Sequence, residues 1–215
     1  MSETQLFATM TLPYLIRIVG TLLTLIVIAV FIRACILKDA IIAARYEKQV
    51  RVFETVGTVI AILLTIYTLD AFDTIHHGIQ HGVFDPETSL EEIRMRVPMT
   101  PKESNLTPGT DLSDKMVIFF RFGCSDCEAV YQDLQLAMND KPGVYWISTR
   151  SLQGQKLLEK YPIDETPSLV YIYPDGERFA IFQLHTKDSN GKVILNTRLM
   201  ARAFELQQEQ IAERQ

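Results

Sequence analysis

Two cysteines, Cys124 and Cys127, carry the type and spacing in this chain that most directly imply chemistry. A thiolate is the nucleophile of disulfide exchange. A second thiol two residues further on can attack the resulting mixed disulfide, close a small ring and release the product. The same spacing could form half of a zinc site, but that reading needs a second pair. Only Cys35 remains, in a distant apolar part of the chain, so redox chemistry is preferred over metal.

The flanking residues say how such a pair would be held. Met116 to Phe122 has the Val, Ile and Phe content of a buried strand, and Gly123 follows it. Beyond the pair, Cys127, Val130, Tyr131, Leu134 and Met138 recur at helical intervals. The pair therefore falls where a strand turns into a helix N-terminus. There, unpaired N–H groups and the positive end of the helix dipole favour a thiolate. Cys124 is expected to be the exposed nucleophile and Cys127, on the inward stripe, the buried resolving thiol. Gly143 to Thr149 reads as a second strand, Leu152 to Tyr161 as a helix and Ser168 to Tyr173 as a third strand. Pro174-Asp175-Gly176 reads as a tight turn, Arg178 to His185 as a fourth strand and Thr197 to Glu213 as a closing helix. Leu199, Ala203, Phe204 and Ile211 would face inward. This order predicts an α/β fold with a mixed sheet flanked by helices.

With the strand Val117 to Phe122, the motif Cys124-Ser125-Asp126-Cys127, the downstream Thr166-Pro167 pair and the turn Pro174-Asp175-Gly176, residues 113 to 215 resemble the thioredoxin superfamily. The resemblance implies a thioredoxin-like fold, a cis bond before Pro167, and a loop at Thr166 and Pro167 that packs beside the cysteines and binds the substrate chain. It also implies thiol-disulfide oxidoreductase activity at Cys124 and Cys127, with no cofactor. Two departures stand out. Gly123 occupies the position where the family often has Trp, and Ile118 the position where many members bury an Asp that accepts the resolving thiol's proton. Arg121 is the one nearby charge in the strand, and it is expected to point to solvent. Asp126, between the cysteines, should disfavour a neighbouring thiolate and so keep the pair toward the reducing end, nearer about -270 mV than the roughly -120 mV of a strong oxidant.

The first third of the chain has a different character. Leu12 to Ile32 is apolar apart from Arg17, and Val52 to Leu69 carries only Glu54. About 20 apolar residues span a bilayer, so residues 1–72 are expected to form a transmembrane hairpin with spans at about 12–32 and 52–72. Between the runs lie Arg33, Lys38, Arg45, Lys48 and Arg51 against Asp39 and Glu47, whereas residues 70–114 hold nine acidic and three basic side chains. The positive-inside rule places the connecting segment in the cytoplasm and the C-terminal domain outside it. Cys35 has a faint lipoprotein-site context, but an apolar residue at a helix end is the preferred reading.

Residues 73–112 read as a juxtamembrane connector. Ser89 to Arg96 is predicted to form a short capped helix, and the prolines from Pro98 to Pro108 to break regular structure. His76, His77 and His81 cluster there, but no other motif supports a metal, and a solvated patch is preferred. Asn105-Leu106-Thr107 matches a glycosylation acceptor only weakly, with Pro108 directly after it.

The chain has 21 basic and 26 acidic side chains, a net charge of -5, and 47% hydrophobic residues. That balance lacks the clustered basic face of a nucleic-acid binder. The expected function is a membrane-anchored, extracytoplasmic thiol-disulfide oxidoreductase. Its partners would be protein disulfide or dithiol clients, the lipid bilayer and a separate redox partner. The alternative is an accessory subunit of a membrane or secretion complex whose thioredoxin-like domain mainly recognises proteins.

Overall fold

The computed structural model describes residues 40–107, 109–138 and 141–214, together with the isolated helical positions 19, 22, 26 and 29. The first expected span, Arg17 and Cys35 otherwise lie outside the described residues. The chain divides into two compact units between Ile75 and His76.

Helix α1 runs from Ala40 to Gln80. Its stretch Thr55–Gln80, 26 residues at a mean hydropathy of 1.8, is long and apolar enough to cross a membrane. At 1.5 Å per residue it measures about 39 Å, more than the roughly 30 Å of a hydrocarbon core. Val59, Ile62, Leu63, Ile66 and Leu69 are all exposed along it. Its threonines do not break the apolar character, since the Thr65 and Thr68 hydroxyls donate to the carbonyls of Ala61 and Leu64 at 2.8 and 2.5 Å. The helix does not stop near residue 72. It continues until Gly82, at φ 85°, turns the chain, and the N–H groups of Gly82 and Val83 bond back to the carbonyls of Ile79 and Gly78.

The second unit is an α/β fold. Helix α2, Leu90–Arg96, starts where expected, with the Ser89 Oγ accepting from the N–H of Glu92 at 3.1 Å. A single 3₁₀ turn, Val97–Met99, follows with Pro98 in its first turn. Then come β1 (Lys115–Phe120), α3 (Ser125–Met138), β2 (Val144–Ser148), α4 (Leu152–Lys160), β3 (Ser168–Ile172), β4 (Phe179–Gln183), β5 (His185–Lys187), β6 (Val193–Leu195) and α5 (Thr197–Ala212). The main sheet has the order β2-β1-β3-β4. β1 pairs parallel with β2 and antiparallel with β3, which pairs antiparallel with β4, so the sheet is mixed.

β1 lies in the interior of the sheet, which explains its unbroken apolar sequence. Its side chains alternate between two cores. Met116 and Ile118 join Val130, Leu134, Leu184 and Ala203 on the face covered by α3 and α5. Val117 and Phe119 join Ile147, Tyr161 and Val170 on the other, against Leu157 and Leu158 of α4. Burying each such side chain is worth about 1.5–3 kcal/mol. Ile118 is therefore a core residue among apolar neighbours, an environment in which an unpaired carboxylate would be costly.

Two expectations need correction. The fourth strand ends at Gln183 rather than His185, because Leu184 leaves the pairing. Its N–H donates to the Pro167 carbonyl at 3.0 Å, while its carbonyl accepts from Asn196 at 2.8 Å. His185 instead begins a separate hairpin, β5–β6, whose turn is held by the Asp188 carboxylate accepting from the N–H groups of Asn190 and Lys192.

The second correction concerns residues 73–112, expected as a connector, which from His76 onward belong to the same compact unit as the sheet. The Glu103 N–H donates to the Gln80 carbonyl and the Ser104 N–H to the Trp146 carbonyl at 2.7 Å. The Glu103 carboxylate accepts from Ser148 N–H, the Ser151 hydroxyl and Gln153 Nε2 at 3.2, 2.6 and 2.8 Å.

Candidate functional site

Cys124 follows the interior strand β1 and stands immediately before α3. The Cys124 carbonyl accepts the first helical bond, from Glu128 N–H at 3.0 Å. That makes Cys124 the N-cap residue, and its sulfur takes the place usually held by a Ser or Asp oxygen. The N–H of Cys127 donates to Cys124 Sγ at 3.3 Å, three residues into the turn. Gly123, at φ 73°, brings the chain into this geometry, a conformation in which a residue with a bulky side chain would be strained.

Thr166 approaches the same sulfur from the opposite side. Its hydroxyl donates to Cys124 Sγ at 3.5 Å, and its carbonyl lies 3.6 Å from that sulfur, ready to accept from the thiol form. The Thr166–Pro167 bond is cis. The two expected binding residues and the two cysteines are thus adjacent, although they come from distant parts of the chain. Trp146 packs on the cluster formed by Phe120, Cys124 and Cys127, with Tyr131 edge-on to its ring at 6.3 Å.

The two thiols are free and electrostatically unlike. The Cys124 thiol is lowered to about 5, first because Cys127 donates its thiol proton to this sulfur, against the opposing effect of burial. The Thr166 hydroxyl and the N–H groups of Cys127 and Asp126 add to that stabilisation. Cys127 moves strongly upward, because it is the donor to Cys124, is buried, and faces a sulfur that carries charge. The helix cap and both shifts favour ionisation of Cys124 over Cys127.

This arrangement changes one expectation. Cys124 is not the more exposed of the pair, since both cysteines are 6% exposed. Their difference lies in hydrogen bonds rather than access. Asp126 lies between the two cysteines in the chain. It contributes its backbone N–H to the sulfur, and its carboxylate lies 3.6 Å from Nε2 of His185. Ser125 is exposed, with its hydroxyl 3.5 Å from the Asp126 carboxylate.

Two neighbours were not singled out from sequence. Arg96, on α2, donates to Glu128 Oε1 of α3 at 2.8 Å and pairs with Glu92. A Cβ at Gly123 would lie 3.8 Å from its guanidinium. His185 is the other, and its one sequence signal was a lone histidine closing the apolar stretch Phe179–Leu184. The connector histidines do not converge. His81 Nδ1 bonds the Thr100 carbonyl at 2.7 Å, and the ring of His76 meets Gln80 at 2.8 Å. Burial holds His81 below its ordinary value. Among the described residues no group of three or more His, Cys, Asp or Glu side chains is arranged to hold a metal. Arg121 is exposed, as expected.

No family model, curated protein or solved structure matches the chain.

Proposed function

We propose that this protein is a membrane-anchored thiol-disulfide oxidoreductase with a thioredoxin-like domain facing the extracytoplasmic side and two N-terminal spans. The observation that carries the reading is the set of donors on Cys124 Sγ, the Cys127 N–H at 3.3 Å and the Thr166 hydroxyl at 3.5 Å, which favours ionisation of Cys124 over Cys127. In the reducing direction, the Cys124 thiolate attacks one sulfur of a client disulfide, forms a mixed disulfide and releases the other client sulfur as a thiolate. Cys127 then loses its proton and attacks Cys124 Sγ. The second client sulfur leaves, the protein is left with a Cys124–Cys127 disulfide, and two electrons have passed to the client. The reverse sequence oxidises a client dithiol. A thiolate held near 5 stabilises the reduced pair and favours the oxidising direction over the reducing one. Either direction needs a separate redox partner to reset the pair.

The test is trapping in intact cells. Cys127→Ala should accumulate mixed disulfides with client proteins, and Cys124→Ala should not. Adducts on Cys124→Ala alone would overturn the assignment. A second reading, a recognition module within a membrane complex, draws support from the low exposure of both sulfurs. It predicts that the Cys124→Ala/Cys127→Ala protein retains full function in cells.

A further inference from the structure

Taking the dithiol reading as its basis, we propose that His185 is a positioning residue of this site, holding the carboxylates of Asp126 and Glu165 so that their charge does not oppose the Cys124 thiolate. Asp126 precedes Cys127 in the first turn of α3, and Glu165 precedes Thr166. Both segments bond Cys124 Sγ, through the Cys127 N–H and the Thr166 hydroxyl. Nε2 of His185 lies 3.6 Å from Asp126 Oδ2 and 3.5 Å from Glu165 Oε2. Gln183 Nε2 also donates to that Glu165 oxygen and lies 3.4 Å from His185 Nε2. Two carboxylates converging on one nitrogen would be unfavourable without a donor between them, and each adjoins in sequence a residue that bonds Cys124 Sγ.

The burial pattern points the same way. His185 is 9% exposed, whereas the side chains of Asp126 and Glu165 are 38% and 59% exposed. Its Nδ1 is buried with no partner. Both carboxylates therefore approach the ring at Nε2 alone, with the Gln183 amide beside it. The ring's place is fixed through the backbone, because the preceding Leu184 bonds to Pro167. His185 is thereby tied to the loop that carries both Glu165 and Thr166.

The experiment follows the rate of Cys124 alkylation against pH in the full-length reduced protein in detergent, which reads the thiolate whether or not the protein exchanges disulfides. His185→Phe should slow alkylation about tenfold below about pH 5, the equivalent of one pKa unit. His185→Gln, which keeps a donor, should restore most of the rate, and adding Asp126→Asn and Glu165→Gln to His185→Phe should restore it fully. An unchanged profile in His185→Phe, or no recovery when the carboxylates are neutralised, would overturn the proposal. If His185→Phe alone does not fold, the Asp126→Asn/Glu165→Gln protein is compared with and without His185→Phe. Equal profiles support the charge-balancing role, and a difference overturns it. Profiles that move with His185 in a protein that traps no client would support this role while overturning the oxidoreductase reading.

Discussion

The N–H of Cys127 points at the sulfur of Cys124 from 3.3 Å away, so the residue suited to resolve a mixed disulfide also helps hold the attacking sulfur as an anion. Alkylation of the reduced protein should therefore be selective for Cys124 and half-maximal near pH 5. Replacing Cys127 by Ala removes the thiol donor and should move that midpoint upward, as mass spectrometry of the alkylated peptide across a pH series would show.

The same asymmetry sets the pH dependence of stability. The folded Cys124 value lies below the unfolded one, so its contribution is complete above about pH 8.5 and is lost as pH falls toward about 5. Cys127 acts in the opposite sense, because it stays protonated when the unfolded thiol would ionise. Denaturant titrations under reductant should find the reduced protein gaining stability from pH 5 to about 8.5, with no such gain in the disulfide form. Equal pH slopes in the two redox states would contradict the thiolate cap.

Because Cys124 is also a helix cap, its two simplest replacements should differ. Ser keeps an oxygen where the sulfur accepts from Cys127 N–H, whereas Ala leaves that N–H without its acceptor. Cys124→Ala should be less stable than Cys124→Ser by about 1 kcal/mol, measured by thermal unfolding. Neither should trap clients.

Glu103 binds three donors from β2 and the start of α4. Glu103→Ala should cost about 2–3 kcal/mol, and Glu103→Gln less, because its amide oxygen still accepts. A loss below about 0.5 kcal/mol, the size typical of plain surface changes, would show that this segment is not part of the fold's stability.

Topology is testable with fusions. A reporter after Gln215 should behave as extracytoplasmic and one inserted near Tyr46 as cytoplasmic, given the five basic residues between 33 and 51. The opposite pattern would move the dithiol into a reducing compartment, where exchange would run toward client reduction.

What could be read before the structure was known was what local pattern encodes. The apolar run of β1, the three- and four-residue recurrence in α3 and the cap at Ser89 all follow from neighbours in the chain, and they locate Cys124 and Cys127 at a strand-to-helix turn. His185, Arg96 and Glu103 could not be found that way. Each acts across a separation set by tertiary packing, and each resembles an ordinary surface polar residue in its own segment. The end of β4 was misplaced for a related reason. Phe179 to His185 keeps its strand-like composition throughout, and only the bonds of Leu184 to Pro167 and Asn196 reveal where the chain changes partners.

The segment around Ser104 has a further role at the border of the sheet. β2 is a border strand, with outward N–H and carbonyl groups that could template pairing with another chain. Here the Trp146 carbonyl receives Ser104 N–H, while the N–H groups of Trp146 and Ser148 are taken by the Ser104 hydroxyl and the Glu103 carboxylate. The stretch before residue 113 thus acts as a seal against edge-to-edge association. A fragment beginning at residue 113 would lose it and present an open β2 to its own copies, so aggregation, rather than loss of the dithiol, is the failure such a truncation invites. A soluble piece that begins at His76 keeps the seal.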